Sequence, residues 1–342
     1  MDYPFLSIII PFFNAASFLP ETFGSIQKAD IPDAEILLID DGSTDASREI
    51  CSSFSLQSAA PVRLLCQENR GPSAARNLGL DACRGDCVVF LDADDVIDPA
   101  NFRRAVSAMR DTGAELLATD FTRISRDGCV LDRICQIEQT ERPITDPAYM
   151  LRFLSDGEVV WNVWRYLFRR DFLLRNDLRF IEDVNCAEDL EFMIRALTVC
   201  EHPAFLHAPY YAYRVHYGNT LTQRLSARRV EDLMHMLRIS AAYLKGLDAP
   251  AARMLENKLA KEYLLNLAIL EEIPRSERGE ALAACRDAQS VLNGAQTRLI
   301  RAAAAFTRLV GLPFAARLLM MMKKLKRAHR KRKIRCYEKK TK

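Results

Sequence analysis

The chain lacks any run of about 20 uninterrupted apolar residues, so no segment reads as a membrane-spanning helix. Its most apolar late stretch, Leu299 to Met322, is broken by Arg301, Arg308, Pro313 and Arg317. Cys-x-x-Cys pairs at zinc-finger spacing are missing as well. The ten cysteines (51, 66, 83, 87, 129, 135, 186, 200, 285 and 336) are scattered, and Met1-Asp2-Tyr3-Pro4 runs into the first apolar segment without a signal peptide. These features point to reduced thiols in a cytoplasmic compartment and argue against a disulfide framework. There is no internal repeat or low-complexity segment. Gly-x-Gly-x-x-Gly is absent after the first strand, which argues against a dehydrogenase.

With 342 residues and 49% hydrophobic content, the chain can bury a large core and suggests about two domains. Three apolar runs, Leu6-Ser7-Ile8-Ile9-Ile10, Glu35-Ile36-Leu37-Leu38-Ile39 and Cys87-Val88-Val89-Phe90-Leu91, read as strands buried on both faces of a parallel sheet. A helix over 17–27 joins the first to the second, giving a βαβ start. Ala114 to Thr119 adds a further short strand. The second strand runs into Asp40-Asp41-Gly42-Ser43-Thr44-Asp45 and the third into Asp92-Ala93-Asp94-Asp95. Open α/β sheets bind ligands at the carboxyl ends of their strands, and carboxylates packed this closely repel unless a cation sits among them. Magnesium or manganese, held by one or two carboxylates and the phosphates of a nucleotide or other diphosphate, suits that arrangement.

At this point the chain resembles a known family. Ile8-Ile9-Ile10-Pro11-Phe12-Phe13-Asn14, Ile39 to Asp45, Asn69-Arg70-Gly71-Pro72-Ser73-Ala74-Ala75-Arg76-Asn77 and Phe90 to Asp95 resemble, in order, the motifs of family 2 glycosyltransferases. Cys186-Ala187-Glu188-Asp189-Leu190-Glu191-Phe192 and Tyr213-Arg214-Val215-His216 resemble its later Glu-Asp and Tyr-Arg-x-His elements. Coverage is roughly residues 5–222. The Gln-x-x-Arg-Trp element of processive members is absent, which implies one sugar added per encounter.

The resemblance implies the GT-A fold, a doubly wound, Rossmann-like and mostly parallel α/β sheet, here with an α-helical C-terminal appendage. Its implied organisation is a transferase domain over 1–222, with a nucleotide-sugar half (1–125) and an acceptor half (126–222), then a helical region over 223–322 and a basic tail over 323–342. It also implies an inverting, Mn2+- or Mg2+-dependent transfer from a nucleotide sugar, by default a UDP-sugar. A glycan or lipid-linked acceptor in surface polysaccharide biosynthesis would receive the sugar.

Asp189 is the expected catalytic base. Asn185 and Glu188 have capping-box spacing, which would put Glu188 and Asp189 in a first helical turn where the macrodipole favours an ionised carboxylate. Asp94 is the expected metal ligand, Asp92 is shared between metal and ribose, and His216 is a third metal candidate. Asp95 either replaces one of these acids or caps the helix near Pro99. Pro11, Phe13, Asn14, Asp40, Asp41, Arg76, Asn77, Ala93 and Arg214 complete the expected donor site, with Asp41 accepting from the base and Phe13 stacking on it. Trp161 stands on the expected acceptor side, although two Trp three residues apart also suit a core.

Residues 323–342 carry twelve Lys or Arg and one Glu, a formal +11 in a chain whose net charge is +3. Together with the interrupted apolar stretch before it, this tail suits an anionic membrane surface; the plainer alternative is a helix packed on its own domain followed by a disordered, solubilising tail, and nucleic acid is not expected as a partner. The expected location is therefore cytoplasmic and peripheral on the inner face of a membrane. Two other readings remain: a sugar-nucleotide nucleotidyltransferase, which should open with a Gly-rich basic loop where Pro11-Phe12-Phe13-Asn14 stands, and a non-catalytic membrane-associated scaffold of the same fold.

Overall fold

The computed structural model describes residues 4–156, 160–184, 186–215 and 226–338, with side chains described at these positions except 156 and those beyond 325. The chain divides into two compact units, Met1–Thr220 and Leu221–Lys342.

The first unit begins with β1 (Leu6–Phe12), α1 (Leu19–Ala29), β2 (Ala34–Asp40), α2 (Ser47–Gln57), β3 (Val62–Cys66), α3 (Gly71–Ala82) and β4 (Cys87–Phe90). β1, β2 and β4 are buried along their whole length. That is why they read as continuous apolar runs rather than alternating ones. β1 pairs in parallel with β2 on one side and β4 on the other, and β3 extends the sheet beyond β2. Strand order thus reverses at β1, and the carboxyl ends of β1, β2 and β4 converge at the switch point where such sheets bind ligands. α3 lies close against β1. A Cβ on Gly79 would come within 2.4 Å of Ile9 Cγ2, so only glycine fits there without a shift.

Past β4 the pattern becomes mixed. The chain continues through β5 (Val96–Ile97), α4 (Pro99–Thr112), β6 (Leu116–Ile124), β7 (Val130–Ile134), α5 (Ala148–Asp156), β8 (Tyr166–Arg169), α6 (Arg170–Arg175), α7 (Glu188–Val199) and β9 (Pro203–Arg214). β8 lies antiparallel between β4 and β6, β9 runs parallel to β6, β5 is antiparallel to β9, and β7 forms a hairpin with β6. Among the described residues the result is a single sheet of nine strands, parallel from β3 through β4. This is the GT-A architecture.

Two local expectations are corrected. α4 is capped by Asp98, whose side chain accepts from Asn101 N at 2.8 Å, and not by Asp95. α7 starts at Glu188, with Ala187 as its N-cap at φ 66°, so Glu188 does not stand in the third position that a capping box requires. Asn185 itself lies outside the described residues.

The second unit is helical: α8 (Ala227–Leu244), α9 (Pro250–Leu267), α10 (Arg278–Asp287), α11 (Arg298–Val310) and α12 (Leu312–Glu338). Leu237, Leu255, Leu259, Tyr263, Ala281 and Cys285 are buried in it. Gly311, at φ 81°, turns the chain between α11 and α12. Leu299, Leu309, Phe314, Met321, Met322 and Leu325 are exposed on this pair. Among the described residues no helix is long and apolar enough to cross a membrane.

Candidate active site

The acidic turn after β4 divides its carboxylates between two tasks. Asp95 turns inward and is buried; its Oδ2 accepts from the Tyr211 hydroxyl at 2.7 Å and its Oδ1 from Arg214 N at 2.6 Å. Burial, together with the charges of Asp94 and Asp92, pushes its pKa well up. The Thr22 hydroxyl reaches the carbonyls of Ala93 and Asp95, and Tyr211 Oη accepts from Asp92 N. Arg214, expected in the donor site, commits its guanidinium to Asp94 O (2.8 Å), Arg126 O (2.5 Å) and Glu21 (2.7 Å). Asp95 and Arg214 therefore shape the turn, and Asp92 and Asp94 remain half-buried at its surface. Of the expected metal ligands, His216 lies outside the described residues.

Across from this turn, Arg76 projects from α3 into a cluster of acids. Its guanidinium donates to Asp92 Oδ1 and to Glu188 Oε1, both at 3.0 Å, and lies 3.6 Å from Asp189 Oδ1. The Phe180 ring covers it at 5.3 Å. Burial alone would make this cation easier to deprotonate, but the three carboxylates outweigh that and raise its pKa. Asp189 Oδ2 accepts from Val163 N at 3.2 Å, which brings the short 160–165 segment, including the half-buried Trp161, up to this carboxylate. Trp164 is core, stacked on Tyr211 at 4.1 Å.

The ionisation of Asp189 differs from the helix-start expectation. Burial pushes its pKa up to about 7; Arg76 pulls it down, and Glu188 and Asp92 push it further up. The first-turn dipole is worth too little to hold the carboxylate in the ordinary range against desolvation and two like charges. A base poised near neutrality suits proton abstraction better than a fully acidic one.

The end of β2 is organised by hydrogen bonds to its two acids. Asp40 is a turn carboxylate that accepts from Ser43 N and from Arg48. Asp41 accepts from Gln67 Nε2, Arg70 N and Gly71 N at 2.8 to 2.9 Å, so it anchors the loop entering α3. A carboxylate has about four acceptor sites, which leaves one for a base. Asn14, at φ 50°, accepts from Thr44 N and donates its own N–H to Ser43 Oγ, tying the ends of β1 and β2 together. Phe12 is core and Phe13 is half exposed beside them; Pro11 and Ala93 are buried. Asn77 does not face the crevice: it bonds both backbone groups of Phe180 and the Glu182 carboxylate, fastening the 180–182 segment. Tyr211, Thr22 and Glu182 are contributors that motif reading missed. Only the spacing of Tyr211 and Tyr213 on one strand face could have hinted at the first.

Asp92 and Asp94 offer hard oxygen ligands at a strand end, which is the donor set magnesium and manganese take.

A sheet that is parallel over β1 to β4 and ends in paired acids, with a carboxylate of raised pKa on a neighbouring helix, fits a GT-A glycosyltransferase. The model of the family described as glycosyl transferase family 2 matches residues 7–176, and the chain belongs to that family. It is 32% identical over 222 residues to the uncharacterized glycosyltransferase EpsJ of Bacillus subtilis, covering 64% of this chain and 63% of that protein. It is 30% identical over 291 residues to the uncharacterized glycosyltransferase YibD of Escherichia coli, covering 82% and 78% respectively. The crystal structure of S. aureus TarS in complex with UDP-GlcNAc superposes with a TM-score of 0.74 over 94% of this chain and 91% of that one, at 19% identity. That likeness shows the fold.

Removing the shared cation should be costly. In Arg76→Met three carboxylates lose their partner, and urea unfolding at neutral pH is expected to show a loss of about 3 kcal/mol, the scale for breaking a buried pair. The loss should shrink at acid pH as the carboxylates take up protons. A variant within about 0.5 kcal/mol of the parent at neutral pH would contradict the reading of this cluster.

Proposed function

We propose that the chain is an inverting, non-processive transferase that moves one sugar from a UDP-sugar to a hydroxyl of a glycan or lipid-linked acceptor in surface polysaccharide biosynthesis. The observation that carries this reading is Asp189, poised near neutrality beside the acidic turn. In the proposed step the acceptor oxygen forms a bond to the anomeric carbon as the bond from that carbon to the diphosphate breaks, and the acceptor proton passes to Asp189. Val163 N–H orients the carboxylate that takes this proton. Arg76 holds the positions of Asp92 and Asp189 relative to each other. Phe13 and the remaining acceptor site of Asp41 serve the base, and Trp161 lines the acceptor side. Asp94 and Asp92 would hold Mn2+ or Mg2+, which when bound neutralises charge on the departing diphosphate. The UDP preference is supported by the UDP-GlcNAc complex of TarS, a neighbour in fold. Lack of the processive motif supports single addition.

The transferase is also proposed to work in the cytoplasm, peripherally on the inner face of a membrane. Exposed Leu299, Leu309, Phe314 and Met321 lie among Arg301, Arg308 and Arg317 ahead of a tail of formal charge +11. This mixture of apolar and basic side chains suits an interfacial segment.

A panel of nucleotide sugars tested for thermal stabilisation should show a rise in Tm with a UDP-sugar and manganese; a donor at 100 times its Kd adds about 2.7 kcal/mol to the native state. Asp94→Asn should lose the manganese-dependent part of that rise and should lose transfer. Unchanged transfer in this variant, or in excess chelator, would overturn the metal-dependent reading.

Deleting 323–342 should release the protein from vesicles containing acidic lipid, as should raising the salt on the intact chain, because charge attraction is screened over about 10 Å at 0.1 M. Equal vesicle binding by both chains would contradict the membrane role of the tail.

A further inference from the structure

A second cluster of metal-ligand side chains lies elsewhere on the sheet and shares no residue with the crevice. The β6–β9 pairing skips between Thr119↔Leu206 and Phe121↔Tyr211, so Asp120 alone faces the four-residue bulge His207-Ala208-Pro209-Tyr210. Its carboxylate is wholly buried. Oδ1 accepts from Gln136 N at 2.7 Å, and Oδ2 lies 2.7 Å from His207 Nδ1. The bond to Gln136 tethers the neighbouring Cys135, whose residue is exposed, so that thiol, imidazole nitrogen and carboxylate oxygen all lie within 4.8 Å of one another.

We propose that Asp120, Cys135 and His207 form a zinc site, with water as the fourth ligand. Zinc bonds of about 2.0 Å to oxygen or nitrogen and 2.3 Å to sulfur place tetrahedral ligand atoms roughly 3.3 to 3.7 Å apart. Opening the Asp120–His207 contact and drawing in the thiol reaches that spacing by movements of about 1 Å. The ligand types decide which ion fits. A thiolate and an imidazole select zinc over the hard magnesium or manganese suited to Asp92 and Asp94. Support behind the carboxylate is already built: Gln136 N–H holds Oδ1, leaving Oδ2 for the ion, and Gln136 Oε1 accepts from Arg165, whose guanidinium is 3.7 Å from Asp120 Oδ1. The Asp120 carboxylate and the ionised Cys135 thiol together match the charge of the ion, and His207 binds as a neutral imidazole. Bound zinc would clip the end of the β6–β7 hairpin to the bulge of β9, four residues before Tyr211, the strand position that holds the acidic turn.

The test uses the full chain loaded with zinc, dialysed and assayed for retained metal, beside Cys135→Ser, His207→Gln and the control Cys129→Ser, which removes another exposed thiol. The parent and the control should each retain about one zinc and bind it at least 10-fold more tightly than the other two variants, the scale by which even outer contacts tune metal affinity. Cobalt in place of zinc should give a thiolate charge-transfer band that Cys135→Ser abolishes. No retained zinc in the parent, or equal retention in all four proteins, would overturn the assignment and leave a plain Asp–His pair beside a thiol.

Discussion

The site rests on one buried cation shared by three acids. Arg76 is only 6% exposed, yet it holds Asp92 from the turn after β4 together with Glu188 and Asp189 from the start of α7. Three segments far apart in sequence are fixed at a single point. Without the guanidinium, three carboxylates in a partly dehydrated space would repel one another or take up protons. With it, Asp92 stays at the crevice and Asp189 titrates near neutrality. Raising a carboxylate's pKa in the folded state costs stability as pH climbs from the ordinary range toward 7, because the unfolded chain gives up that proton more readily. The strain of close acids is thus placed at the carboxylate that takes the proton in the proposed step.

Around this point, buried polar groups act as framework and half-buried ones face the crevice. Asp95, Tyr211, Arg214 and Thr22 fix the acidic turn from behind, and Asp41 with Asn14 fixes the loops at the ends of β1 and β2. Asp95, Tyr211, Arg214, Thr22 and Asp41 are buried, and each is satisfied by more than one partner, as buried polar groups must be. Consecutive acids in one motif therefore do different work: Asp94 and Asp95 are neighbours in sequence, but pleat and turn send one to the surface and the other into the core.

Much of this was legible in the chain. Continuous apolar runs gave β1, β2 and β4 to within one or two residues, because strands covered on both faces leave no polar alternation. The acidic strand ends and the ordered motifs pointed to the family, which the matched family model and relatives show. Spacing could not tell which acid of a cluster turns inward, since that depends on Tyr211 and Arg214 from β9, more than a hundred residues away. Nor could it show that Asn77 is spent on the 180–182 segment. The helix-start rule placed Glu188 and Asp189 in a first turn but missed the desolvation that sets the ionisation of Asp189. Asp120, Cys135 and His207 carried no motif, because a bulge in the pairing of β6 and β9 brings them together.

The central claim, that Arg76 and its acids poise Asp189 as the base, is tested most directly by the pH dependence of kcat/KM. With Asp189 pushed up to about 7, the rate should fall on the acid side with a midpoint near that pH. Replacing Glu188 by Gln removes a like charge and should move the midpoint lower, whereas Asp189→Asn should abolish the limb and reduce turnover by roughly 100-fold or more. A flat profile from about pH 5 to 8 in the parent, or full turnover in Asp189→Asn, would contradict the account.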